Sequence, residues 1–267
     1  MRFARFLAAT LTAPLLMTGC TSRSPSPPPP PSPSSSPTLS SSPSADGRPT
    51  AADYAWFERN DELTVAFCFI WVESLSPAEV LKRLAARPIG TSGWRNDDYW
   101  SDSPGLRDRE VVTAVTKVGN WSLIVEDNGT TAIEDDSLKR LSRATRVIAN
   151  YRNVEGDGRF ALVENGTIQV DFDPQDPTDR QGATPDRLLP DMAPAGLDMS
   201  ESPGLDPADP AYVDVPYTEA AFALTERQTH IPFTPTLLHS ATYHLGALPD
   251  PLTGNDVIDE VDPPAPS

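Results

Sequence analysis

Several groups of side chains in the sequence have the types and spacing that chemistry needs. Asn153-x-Glu155-x-Asp157-Gly158, followed by Phe160 and Glu164, repeats the oxygen-ligand spacing of a helix-loop-helix calcium site. Such a loop requires a helix on each side. Arg146-Val147-Ile148 and Phe160-Ala161-Leu162-Val163 read as strands instead, so a plain hairpin connection is expected here. Asp171, Asp173, Asp176 and Asp179 place carboxylates close together, which would suit a hard cation if Pro174 and Pro177 turned them inward. A solvated acidic loop leaving a strand is the simpler reading. His239 and His244 are off the spacing that sets two zinc ligands on one helix face, and Cys68 lies within the most apolar run of the chain, where a thiolate would be desolvated. Neither metal nor cofactor is expected. Ser74, Ser76 and Ser92 lack the Gly-x-Ser-x-Gly elbow of a serine hydrolase. Glu58 and Glu126 would act as paired carboxylates only if folding joined them.

The most unusual segment runs from Gly93 to Asp102. Trp94, Tyr99 and Trp100 stand there among polar residues without strong periodicity. Rigid aromatics bind with little entropy loss, so the three are the candidate binding residues, as a platform for a sugar ring or a protein partner. The competing reading is that Trp94 and Trp100 fold back as lids on the core.

Elsewhere the N-terminus carries the clearest signal. Arg2 and Arg5 precede an apolar stretch from Phe6 to Leu16, too short to span a bilayer, and the run ends in Leu16-Met17-Thr18-Gly19-Cys20. This resembles the lipobox of bacterial lipoproteins, with Met17 where leucine is usual. The resemblance implies a signal peptide over 1–19, lipidation of Cys20 as the first mature residue, and a membrane anchor made of acyl chains. Residues 20–50, dominated by Pro and Ser, have almost nothing apolar to bury and read as a disordered tether. An extended tether of that length reaches at most on the order of 90 Å.

The charge balance supports the acyl anchor. With 21 Lys and Arg against 38 Asp and Glu, the chain carries a net charge of -17, which repels phosphate backbones and anionic headgroups alike. Nucleic acid is therefore excluded as a partner. Two distant cysteines, Cys20 and Cys68, supply neither a disulfide framework nor a four-thiolate zinc site.

Residues 51–251 are expected to form the globular region, followed by an acidic disordered tail over 252–267. Leu63 to Val72 is apolar on every side and reads as a buried helix. Ser76-Pro77-Ala78-Glu79 opens a second helix with a capping box. Strands are expected over Glu110 to Val118, Trp121 to Glu126, Thr145 to Val154, Phe160 to Glu164 and Thr167 to Phe172. Asn165-Gly166 joins the last two in a type I′ turn. A short helix runs from Asp135 to Leu141, and further helices start at Thr184-Pro185, Thr218 and Thr234-Pro235. The fold class expected is α+β: one domain with an antiparallel sheet of about five strands and helices at both ends.

Four blocks, Asp53-Tyr54-Ala55-Trp56-Phe57, Ala66-Phe67-Cys68-Phe69 with Ser74 to Leu81, Gly119-Asn120-Trp121 with Val125 to Gly129, and Tyr151-Arg152-Asn153-Val154, resemble an uncharacterised actinobacterial domain family. Phe172 to Pro177 and Thr218 to Leu224 extend the likeness. Glu155-Gly156-Asp157-Gly158 departs from it where another Asn-containing segment is expected. The family has no known activity, so the resemblance assigns no catalytic residue.

The function expected is that of a cell-envelope lipoprotein, held on the extracytoplasmic face of the membrane by its lipid. There it binds an envelope ligand or a protein partner without enzymatic activity. Two other classes stay open: a hydrolase of envelope material using carboxylates such as Glu126, Asp171 and Asp173, and an inhibitor or immunity-type protein against an exported toxin.

Overall fold

The computed structural model describes residues 47–59, 63–95, 110–200 and 215–249. They build one antiparallel sheet of nine strands in the order β2-β9-β3-β4-β1-β5-β6-β7-β8. The strands are β1 Phe67–Glu73, β2 Arg87–Ser92, β3 Glu110–Val118, β4 Trp121–Asp127, β5 Arg146–Arg152, β6 Gly158–Glu164, β7 Thr167–Asp173, β8 Asp176–Gln181 and β9 Tyr243–Pro249. The helices are α1 Pro77–Arg83, α2 Asp135–Leu141, α3 Leu189–Ala195, α4 Tyr217–Thr229 and α5 Pro235–Ser240, with short 3-10 turns at Ala51–Tyr54 and Phe57–Arg59.

The expected buried helix at Leu63 to Val72 is instead β1, the central strand. Phe67, Phe69 and Trp71 point to one face, and Cys68, Ile70 and Val72 to the other; all six are buried. A strand covered on both faces shows no polar alternation, so its apolar run is continuous, as a fully buried helix's would be. The first face packs on α3, α4 and the 3-10 turns, where Phe57, Phe67, Phe69, Phe222 and Phe233 form a tilted and edge-on aromatic cluster. The second face packs on α1 and α2 through Val80, Leu81, Leu138 and Leu141. Helices thus cover both faces of the sheet.

The strand count exceeds the expected five because β1 was read as a helix and β2, β8 and β9 carry weak local signals. β2 contains Pro88 and Gly90, and β8 is Asp-Pro-Thr-Asp-Arg-Gln. Both are edge strands, where proline and charge discourage pairing with another chain. Between β6 and β7, Asn165 and Gly166 both have positive φ, as a type I′ hairpin needs. Helix α1 starts as expected, with Ser76 Oγ accepting from Glu79 N at 3.2 Å, although the Glu79 carboxylate accepts from Arg83 Nε rather than closing a capping box. Helix α4 begins at Tyr217, ahead of the expected Thr218 cap, and α5 ends before β9.

Candidate functional site

On the α1/α2 face, one end of the sheet departs from apolar packing. Cross-strand register puts Cys68 of β1 opposite Glu126 of β4 on one side and Tyr151 of β5 on the other, and Tyr151 opposite Arg159 of β6. Paired residues share a face, so Glu126, Cys68, Tyr151 and Arg159 form a polar row across four adjacent strands. Residues 128–134, which connect β4 to α2, lie over this row and are fastened at their middle to both ends of the row. Thr131 Oγ1 donates to Glu126 Oε1 at 2.7 Å, and Arg159 Nη1 donates to the Ala132 carbonyl at 3.2 Å. Arg159 also grips Asp171 with two bonds of 2.8 and 2.6 Å and Asp135 with one of 2.8 Å. Four of the five donors of this guanidinium are thus engaged, and its role is structural.

Glu126 is the group the fold treats differently. It is 3% exposed, and among the described residues it has no basic partner. Burial pushes its carboxyl above the usual carboxylate range, opposed in part by hydrogen bonds from the hydroxyl and the backbone N–H of Thr131. Burial likewise raises the Cys68 thiol well above its ordinary range, and the neighbouring Glu126 adds to the effect. Burial thus disfavours the charged form of both groups. Gly129 matters to this arrangement because a Cβ there would overlap the Glu126 side chain, so the connection passes closer to the carboxyl than any other residue would allow.

Glu126 lines a cavity of about 330 Å³ between β3, β9, α1 and α2. Leu84, Val111 and Leu248 make an apolar wall, while Thr131, Glu134 and Arg140 make a polar one. A second, wider cavity of about 600 Å³ lies on the far side of the covering connection and includes Tyr151, Arg159, Asp171 and Asp173. Its charged groups are largely engaged already. Asp171 is paired with Arg159, and Asp173 accepts from Gln175 N at 2.9 Å and Gly158 N at 3.4 Å while burial raises its pKa.

The residues expected to carry chemistry separate as follows. Trp94, a member of the expected exposed platform, is 5% exposed and joins the core on the α3/α4 side, its ring 6.3 Å from that of His239. An indole of that size gains more from burial than a loop gains by presenting it, so Trp94 is a lid. Tyr99, Trp100 and Cys20 lie outside the described residues. Asn153 Oδ1, the first position of the calcium-like spacing, accepts from Glu155 N at 3.0 Å and Asp157 N at 2.8 Å and closes the β5–β6 turn. Asp173 and Asp176 flank a tight β7–β8 turn. His239 belongs to α5 and His244 to β9, so the two share no helix. Glu58 is exposed in a 3-10 turn on the face opposite Glu126. Glu126, Asp171 and Asp173 divide between the two cavities and form no common centre.

The sequence does hold a signal for the Glu126 site. Leu123-Ile124-Val125-Glu126 alternates between two buried faces, so an acid at that step must be buried, and Gly129-Thr130-Thr131 follows at the distance needed to fold back on it.

Residues 47–252 match the model of a family of unknown function (DUF6461), and the chain belongs to that family. No curated protein and no solved structure matches it.

Proposed function

We propose that the chain is a lipid-anchored cell-envelope protein whose folded region binds a small ligand in the cavity floored by Glu126. The single observation behind the binding role is a buried carboxyl that lines a cavity without a basic partner. A carboxyl in that environment costs folding stability, and a glutamine or an apolar residue would fit the sheet at lower cost. Such costs concentrate where a side chain serves a ligand. A volume of about 330 Å³ lies at the small end of ligand pockets, which suits a metabolite or monomer better than a polymer chain.

The anchor and location rest on the sequence: Arg2 and Arg5, the short apolar run, the lipobox-like approach to Cys20 and the Pro/Ser tether. With the tether, the folded region would sample the space outside the cytoplasmic membrane. Cys20→Ser should shift the protein from the membrane to the soluble fraction without altering its thermal transition. Retention of the variant on membranes after a high-salt wash would refute the acyl anchor. For the cavity, a small-molecule panel read by thermal shift should give hits that disappear in Glu126→Gln.

One observation favours a second reading. Glu126, its carboxyl shifted upward by burial, shares its cavity with the exposed carboxylate of Glu134, and two carboxyls in contrasting environments are the raw material of an acid–base pair. Turnover of an envelope-derived ester, amide or glycoside, lost in both Glu126→Gln and Glu134→Gln, would establish that hydrolase reading over simple binding.

A further inference from the structure

Glu134 and Arg140 stand on the same wall of the Glu126 cavity with opposite charges, yet they do not form an ion pair. Between them is Ser137, whose hydroxyl donates to Glu134 Oε2 at 2.8 Å and accepts from Arg140 Nη2 at 2.8 Å. Ser137 is itself 3% exposed, so this spacer is fixed by the packing of α2. The Ser137 bond is the only side-chain hydrogen bond of Arg140 among the described residues, and no carboxylate there lies within ion-pair distance of its guanidinium. Glu134 takes one further bond, a long one of 3.4 Å from Thr130. The two charges are thus held a hydroxyl apart and left with bonding capacity on the cavity side, while Glu126 sits beyond them at the buried floor.

From this geometry we infer that the cavity takes a zwitterion of the α-amino-acid class. Its carboxylate would lie on Arg140, its ammonium between Glu134 and Glu126, and its apolar side chain against Leu84, Val111 and Leu248. The inference rests on the cavity being a ligand site, as proposed above. Electrostatics separates the ligand classes. A simple cation would satisfy Glu134 but press against Arg140, and a simple anion would meet Glu134 and the carboxyl of Glu126. An uncharged ligand would strip water from Arg140 and Glu134 and return no charge-assisted bond to either. A molecule carrying both charges on neighbouring atoms compensates all of these groups at once. An approaching ammonium also gives Glu126 the cationic partner it lacks in the protein. The apolar wall selects among amino acids for an aliphatic or aromatic side chain, and the cavity volume restricts the ligand to a single residue or a very short peptide.

The test is calorimetric titration of the purified full chain with leucine, valine and phenylalanine, each beside its decarboxylated amine and its deaminated acid, and with glucose as a neutral sugar. The expected result is that at least one amino acid binds and that both of its single-charge counterparts bind on the order of tenfold more weakly or less. Arg140→Gln and Glu134→Gln should each lower that affinity by on the order of tenfold while leaving the thermal transition in place, because both side chains sit on the cavity's outer wall. If an amine, an acid or a sugar binds as tightly as any amino acid, and does so in a Glu126-dependent way, the zwitterion assignment falls and the cavity reading stands. Amino-acid binding that survives Arg140→Gln also overturns the assignment. If no amino acid, amine, acid or sugar binds at all, the assignment and the ligand-site reading fail together.

Discussion

The carboxyl of Glu126 lies directly over the backbone of Gly129, so close that a methyl group at Gly129 would overlap the Glu126 side chain. This contact ties the covering connection to the floor of the cavity. It also makes the glycine's absent side chain part of the site, because the space Glu126 occupies is the space a Cβ would need.

Gly129→Ala should therefore destabilise the protein by about 1 to 3 kcal/mol, the usual range for overpacking in a well-packed core. The same change in a Glu126→Gly background should cost much less, since both the colliding carboxyl and the colliding Cβ of residue 126 are gone. Urea unfolding of the two single variants and the double variant measures the coupling directly. Additive effects would mean that the Glu126–Gly129 contact is not what confines this turn.

The pH dependence of stability offers a second check on Glu126. Burial raises its pKa from the ordinary 4.5, so the native state holds this proton more tightly than the unfolded chain does. The corresponding stability is fully present below the ordinary value and is lost as pH rises through the raised one. Glu126→Gln keeps the shape and removes the titration. The unfolding free energy of the wild type, relative to this variant, should accordingly fall as pH rises from the ordinary 4.5 through the raised value. A constant difference across that interval would show that Glu126 titrates as an exposed carboxyl does.

How far the sequence revealed this site depends on which residues report on neighbours in space. The β5–β6–β7 meander was readable because each strand alternates and Asn165-Gly166 has only one comfortable conformation between them. β1 was not, since helix layers on both sides erase the alternation that identifies a strand. The chemistry suffered from the same blindness. Trp94 drew attention because aromatics in a polar loop look exposed, yet burial is decided by α5 and the sheet, far along the chain. In sequence Glu126 is one of several scattered candidate carboxylates at a strand end, because its neighbours Cys68 and Thr131 come from β1 and from the covering connection, and its lack of a cation can be seen only after folding.

At the opposite face, Arg227 fixes the start of the folded region. Its guanidinium is buried, donating to the carbonyls of Pro49 at 2.7 Å and Pro194 at 3.0 Å and lying 3.6 Å from Asp191. Arg48 reaches back to the Arg227 carbonyl at 3.1 Å and pairs with Asp191. Arg227→Leu should cost about 1 to 3 kcal/mol, because it removes the donor to two carbonyls, while Asp191 keeps Arg48 and Gln228 as partners. Hydrogen exchange should rise first at Ala51–Tyr54, the turn that packs on α4. If exchange there stays as slow as in the wild type, the junction is held by apolar packing alone.

The final prediction concerns Trp94, where the sequence left two readings open. A lid that is 5% exposed contributes through packing, so Trp94→Ala should lower stability by about 3 to 5 kcal/mol, and Trp94→Phe by considerably less because most of the ring volume is kept. Tryptophan fluorescence adds an independent measurement. Trp71 and Trp121 are also buried and Trp56 is partly so. Removing a sheltered indole should raise the average accessibility of those that remain to a polar quencher, since Trp56 is only partly buried. The alternative predicts the reverse on both counts. A platform indole could be removed with little change in melting temperature, and average quenching would fall because an accessible emitter had gone. A Trp94→Ala protein that melts with the wild type and quenches less would return Trp94 to the surface and restore it as a candidate binding residue.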